Sequence, residues 1–247
     1  MGPAPATQRF MDAIAPTSES STSAAHRAYL LGAALLVAAV GALWIDVPVS
    51  GFVRPAASGK GAIRVPGDVR RALDVSEGFA HGFGVAVILL AVWVLDRDHR
   101  RSVVRMAACA FGAGLLADVG KALVARLRPL SEVSVDSVWH TFIGWLPALR
   151  PEQFADYERY HIRSFPSGHS ATAAALALAL VWRYPRGWWL FAILAVLSMA
   201  QRVVSGAHYP SDTLAAAAIA CLFCGVLLDP RLLGRVFDSL ERPRAGQ

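Results

Sequence analysis

Six apolar blocks constrain this chain more than any other feature. They run Ala28–Ile45, Phe79–Leu95, Val103–Val124, Ser170–Trp182, Trp188–Val203 and Leu214–Leu228. With its polar flanks, each approaches the roughly 20 residues needed to cross a hydrocarbon core. Charged residues make up 17% of the 247, against about 25% in a soluble domain, and mean hydropathy is +0.44. Helices apolar on every side belong in a membrane or a large core, and strands of alternating polarity are absent. The expected fold is all-α, an integral membrane bundle of six transmembrane helices; a soluble bundle of buried helices is the alternative.

The expected organisation is a membrane domain over 25–229, a disordered N-terminal tail over 1–24 and a short C-terminal tail over 230–247. The first tail is rich in Pro, Ala, Ser and Thr, a composition that cannot build a core. It is not a signal peptide, because apolar sequence begins only after Arg27, and Ala6 breaks the myristoylation pattern that Gly2 would start. Cys109, Cys221 and Cys224 lie inside apolar blocks, where packing explains them better than redox chemistry.

The net charge of +6 does not mark a nucleic-acid binder, since the basic residues are scattered through short links rather than gathered in a stripe. Arg97, Arg100, Arg101, Arg183, Arg186, Arg231, Arg235, Arg242 and Arg244 flank one set of helix ends and would be cytoplasmic. The opposite set is basic too, with Arg54, Lys60, Arg64, Arg70 and Arg71 in one loop. Charge alone therefore orients the chain only if some of those outer cations have another task.

Three polar stretches supply one. Lys121 and Arg128, in "KALVARLRP", are two turns apart and on a helix would point the same way, with Pro129 either ending the helix or biasing Arg128 towards an extended shape; snorkelling towards headgroups is the plain alternative. Pro166-Ser167-Gly168-His169 opens the fourth block. Free backbone N–H groups at a helix start make an anion site, and His169 can exchange a proton near neutrality; a simple Ser-capped start is the alternative. Arg202 closes the fifth block, and His208 and Asp212 stand i, i+4 at the start of the sixth. A carboxylate on one imidazole nitrogen would leave the other free to attack, although a capping Asp beside an incidental His reads equally well. With six spans, all three stretches fall on one side of the membrane.

In this order, K-x6-RP, PSGH and R-x5-H-x3-D resemble the three motifs of the type 2 phosphatidic acid phosphatase (PAP2) superfamily, here Lys121–Pro129, Pro166–His169 and Arg202–Asp212. The resemblance implies a membrane phosphatase that needs neither metal nor cofactor. Lys121, Arg128, Arg202, Ser167 and the N–H of Gly168 would bind the phosphoryl group. His208, oriented by Asp212, would attack phosphorus and form a phosphohistidine; His169 would protonate the leaving oxygen and then activate water. One departure is Gln201, where the family usually has Ser.

The loop over 130–165 carries Trp139, Phe142 and Trp145, residue types that favour a membrane interface, so it either frames access for a lipid tail or simply anchors. His140 and His161 match no motif and read as surface residues. The expected substrate is a lipid phosphate or diphosphate cleaved at the non-cytoplasmic face of a cell membrane. The alternatives are a vanadium-dependent haloperoxidase and a membrane protein that binds phosphate or lipid without turnover.

Overall fold

A computed structural model describes residues 18–53, 64–131, 133 and 135–241. Nine α-helices lie among them: α1 (Ser18–Ala42), α2 (Asp46–Val53), α3 (Gly67–Ser76), α4 (Gly82–Leu95), α5 (Val103–Leu123), α6 (Gly168–Arg183), α7 (Trp188–Val204), α8 (Pro210–Leu228) and α9 (Gly234–Glu241). Two short strands, β1 (Val124–Arg126) and β2 (Phe142–Trp145), pair antiparallel, Val124 opposite Trp145.

All six apolar blocks form helices. Four helical segments are long and apolar enough to cross a membrane: Ser21–Ala42, Arg100–Leu123, Pro185–Val204 and Pro210–Leu228. A fifth span arises if Gly67–Phe79 and Gly82–Leu95, bent by 62° at their break, count as one. The expected sixth, α6, has 16 residues, about 24 Å of rise, and falls short of a span by itself. The chain is thus a helical, multi-pass membrane protein with four or five candidate spans among the described residues.

The ends also differ from expectation. Residues 18–24, assigned to a disordered tail, begin α1, while 1–17 and 242–247 lie outside the described residues. Gly234–Glu241, expected as tail, is helical because it has a partner: the fully buried Arg105 of α5 donates to Asp238 at 2.6 Å and Glu241 at 2.9 Å.

The core explains why α6 can be short. It runs between α5, α7 and α8, and α1 lies along α8. Buried residues at these contacts are mostly small, among them Ala113, Ala117, Ala171, Ala175, Ala216 and Ala220. Small side chains let helix backbones approach closely, which is how helices pack where no hydrophobic drive separates protein from lipid. Outward faces carry Val37, Leu90, Trp93, Leu115, Trp189 and Val196, all exposed. In water such a belt would be an aggregation surface; against acyl chains it is solvated.

At one end of the bundle the β1–β2 ribbon, with Leu127, Phe154 and Ile162, forms a second small core. Lys121 and Arg128 therefore do not share a helix, as their spacing predicts. The helix stops at Leu123 and Val124 turns extended (φ −123°, ψ 120°), where a β-branched residue fits a strand better than a helix end.

Candidate active site

Four helix ends meet at the ribbon's end of the bundle. Lys121 lies in the last turn of α5, Ser167 caps α6, Arg202 lies in the last turn of α7, and Asp212 lies in the first turn of α8. Arg128 and His208 come from the adjoining loops. All eight residues singled out in the motifs are thus brought together from segments far apart in sequence.

Two close approaches hold the Pro166–His169 turn in place. A Cβ on Gly120 would fall 2.6 Å from the Pro166 ring, so only glycine lets α5 touch the turn before α6. A Cβ on Gly168 would stand 3.0 Å from Lys121 Nζ, which puts the ammonium directly against the α6 N-terminus. Lys121 also donates to Asp118 at 2.8 Å. The Ser167 oxygen accepts from the Ser170 hydroxyl at 2.9 Å and its amide at 3.4 Å, leaving the Ser167 proton for another acceptor.

His208 is presented by Gly206, whose φ of +72° suits the left-handed turn after a helix. Its side chain is buried. The Nδ1–H donates to the Ser164 carbonyl at 2.6 Å; a carbonyl can only accept, so the lone pair is on Nε2. Asp212 stands 3.9 Å from Nδ1, farther than the i, i+4 pairing predicts, because α8 starts only at Pro210 and its carboxylate has other partners. One oxygen accepts from the Ser164 hydroxyl at 2.6 Å and the Tyr209 amide at 2.9 Å. The other accepts from Arg126. Asp212 therefore fixes His208 chiefly through Ser164, which it holds by the hydroxyl.

Arg126 itself escaped the motif reading. It is fully buried between the rings of Phe142 and Tyr209, at 4.4 and 4.5 Å from their centroids. It donates to Asp212, to Ser211 at 2.8 Å and to Asp46 of α2 at 2.6 Å. Asp46 in turn accepts from the Ser211 amide at 2.9 Å. The only sequence signal for this was a lone acid, Asp46, at the end of a long apolar block.

Arg128 and Arg202 are positioned differently. Arg128 lies over the Tyr160 ring and donates to the carbonyls of Tyr160, Ala207 and Arg163 at 2.9, 3.2 and 3.2 Å. Arg202 is held by side chains: Nε donates to Gln201 Oε1 at 2.6 Å and Nη2 pairs with Glu77 at 3.0 Å. Gln201 also donates to Asp74 at 3.1 Å. Asp74 comes from the last turn of α3 and Glu77 from the elbow between α3 and α4, a segment with no motif and no spacing to betray it.

Glu77 also lies 3.6 Å from Nε2 of His169. Burial first, then Arg202, His81, Lys121 and Arg128, push His169 down to about 4. Burial, then Arg128, puts His208 well below its ordinary value despite the opposing Ser164 bond. Cations around an imidazole disfavour a further positive charge. Both histidines are neutral at pH 7, beside the cations of Lys121, Arg128 and Arg202.

The outer loop divides as well. Trp139 and Trp145 are exposed, while Phe142 packs on Arg126. His140 is exposed, and His161 stands 3.3 Å from Glu158.

Comparison with known proteins gives the chain its relatives. A lipid A 1-phosphatase of Rhizobium etli is 35% identical over 120 residues, covering 39% of this chain and 52% of the relative. An undecaprenyl-diphosphatase of Bacillus subtilis is 30% identical over 138 residues, covering 56% of this chain and 62% of the relative. The chain thus spans little more than half the length of these curated relatives. The crystal structure of a transmembrane PAP2 type phosphatidylglycerolphosphate phosphatase from Bacillus subtilis aligns with a TM-score of 0.47 at 18% identity, over 91% of this chain and 99% of that one. The model of the PAP2 superfamily matches residues 102–229, just over half the chain and every motif residue above, and the chain belongs to that superfamily.

Proposed function

We propose that this protein is a membrane phosphatase that hydrolyses phosphate monoesters or diphosphates of lipids through a phosphohistidine on His208. The observation that carries this reading is the His208 tautomer. With Nδ1–H tied to the Ser164 carbonyl, the lone pair of Nε2 lies free beside Lys121, Arg128 and Arg202. A site for binding phosphate alone has no use for a buried neutral nucleophile.

Catalysis would run in two displacements. His208 Nε2 forms a bond to phosphorus as the bond to the leaving oxygen breaks, and His169 gives that oxygen its proton. The proton arrives with the substrate, because His169 is neutral in the free protein. Water then attacks phosphorus, His169 takes the water proton, the P–N bond breaks and inorganic phosphate remains. Lys121, Arg128, Arg202 and the first amides of α6 meet the oxyanion charge; one such donor is worth about 10²–10³ in rate.

The membrane side follows from the charges. At the site's end, Lys121, Arg128 and Arg202 are engaged in the cradle. Arg97, Arg100, Arg101, Arg183 and Arg186 lie at the opposite helix ends and would mark the cytoplasm. The site then faces the non-cytoplasmic side, and the lipid classes named in the relatives, lipid A phosphates and polyprenyl diphosphates, are the first substrates to try.

The test is phosphate release by purified protein across a lipid phosphate panel, with acid-labile phosphoprotein trapped by rapid quench. His208→Ala should trap none. His169→Ala should still phosphorylate with p-nitrophenyl phosphate, whose leaving group needs little protonation, and the intermediate should accumulate. Trapped phosphate on the His208→Ala protein would overturn the assignment. A reporter after Gln247 should read cytoplasmic and one near Glu152 external; the reverse would misplace the site.

A further inference from the structure

On the far side of Lys121 from the other motif residues, with Lys121 in its wall, lies a cavity of about 520 Å³, within the range of small-molecule sites. Lys121, Arg159 and Arg163 line it, with Tyr157, Phe154 and Ile162. No carboxylate lines it. Lys121 has Asp118 at 2.8 Å, and Glu158 of the same loop faces His161 instead. Among the described residues neither Arg159 nor Arg163 pairs its guanidinium with an acid. Three cations around one concavity repel one another and attract an anion from solvent.

The cavity is also built rather than incidental. Phe154 and Ile162 are buried in the ribbon's core. The backbone of Arg163 bridges to Arg126 and accepts from Arg128 at 3.2 Å. The loop carrying both free guanidinium groups is therefore locked to the cradle by its main chain, while their side chains remain available. Its position relative to the chemistry is specific: Lys121 Nζ lies against Gly168, and the next residue is His169, the proposed acid for the leaving oxygen. The cavity thus shares Lys121 with the site and meets it beside the N-terminus of α6, from which His169 also projects.

We infer that this cavity is a second anion subsite, which takes a further phosphate group on the leaving portion of the substrate. This rests on the phosphatase reading above and narrows its substrate class. Lipids with two phosphates are favoured over simple monoesters. The second group is either the inner phosphate of a lipid diphosphate or the phosphodiester of a lipid whose headgroup ends in a monoester. In a diphosphate the leaving group is itself a phosphate, stable as an anion, so Arg159 and Arg163 take over part of the work a proton from His169 does for an alcohol.

The experiment uses full-length protein in neutral detergent and tail-matched substrate pairs: farnesyl phosphate with farnesyl diphosphate, and phosphatidic acid with phosphatidylglycerol phosphate. In at least one pair the second phosphate should raise kcat/KM about 10-fold, the scale of one charge-assisted contact. The pair that responds identifies the source of the group. The Arg159→Gln/Arg163→Gln variant should bring that ratio close to one and leave the monoester rate within about 3-fold. Arg159→Gln alone, at an exposed position, should reduce the ratio partway and guards against a misfolded double variant. Calorimetry adds a readout independent of turnover, in which pyrophosphate should bind about 10-fold more tightly than phosphate to the native protein and equally to the variant. Equal kcat/KM in both pairs, or a ratio untouched by the variants, overturns the subsite. Inactivity on every lipid with the pyrophosphate preference intact would reject the phosphatase reading and keep the subsite.

Discussion

Gln201 accepts the Nε–H of Arg202 through Oε1 at 2.6 Å and passes its amide to Asp74 at 3.1 Å. The residue that departs from the family pattern is thus a clamp on the motif arginine, anchored to α3. It is buried and touches the arginine rather than aiming at the anion site. Gln201→Ala should lower kcat/KM about 10-fold, less than the loss of a direct transition-state donor, while Arg202→Ala should cost at least about 100-fold. Steady-state kinetics on one lipid phosphate checks both. A Gln201→Ala rate equal to that of the native enzyme would show that Arg202 needs no such clamp.

Glu77 places a carboxylate oxygen 3.0 Å from Arg202 Nη2 and 3.6 Å from His169 Nε2. A bound phosphoryl oxygen would compete for the same donors. Glu77→Gln removes the negative charge and keeps the shape, so inorganic phosphate and vanadate should inhibit about 10-fold more strongly, with turnover limited by slower product release. An inhibition constant unchanged by the substitution would mean that Glu77 does not contend with the anion.

The histidine environments fix a pH profile. On the mechanism proposed above, the reactive complex needs one proton shared between His169 and the phosphate. In the free components that proton belongs to the substrate, since His169 is held down at about 4 and a phosphate monoester titrates near ~6. The logarithm of kcat/KM should therefore fall as pH rises through the substrate's own value, with unit slope, and fall again below about 4 as His169 takes up a proton unaided. With p-nitrophenyl phosphate the His169→Asn protein should lose the alkaline limb. A limb that stays with the variant would assign the shared proton elsewhere.

Arg126 joins α2 to α8 through two buried carboxylates, Asp46 and Asp212. Removing the cation strands both. Arg126→Leu should destabilise the detergent-solubilised protein by about 3–5 kcal/mol, read as a fall in Tm, and Arg126→Lys should not rescue it, because one ammonium cannot reproduce the guanidinium fork. Near-native stability of Arg126→Leu would show that Asp46 and Asp212 protonate without cost.

What the sequence disclosed and what it withheld follow from the range of the interactions. Ser167, His169 and the Ala-rich run behind them are contiguous, and a helix mouth shows itself in a few residues. His208 and Asp212 are close enough that their partnership was legible, yet not that Ser164, from a loop 44 residues away, would hold Nδ1. Asp74 and Glu77 sit in an amphipathic stretch whose acids look like any solvated face until α7 packs against it. Gly234–Glu241 reads as polar tail because the charge it answers, Arg105, lies 133 residues earlier than Asp238. The short α6 misled for the opposite reason. Its composition is that of a membrane span, and only its neighbours make the missing length unnecessary.

That brevity sets the depth at which the protein works. Lys121 marks the upper end of α6, lying against Gly168; Arg105, 4.8 Å from the Trp182 ring, marks the lower end. Sixteen helical positions separate Lys121 from Arg105, which is about 24 Å, whereas an undisturbed hydrocarbon layer measures about 30 Å. Arg105 is fully buried, so this shortened distance lies inside the bundle, behind flanking segments of 19 to 24 residues that are long enough to cross the layer themselves. On the function proposed above, a lipid would therefore bring its phosphate inward between those helices, below the headgroup plane, to reach His208 while its tails stay in the leaflet.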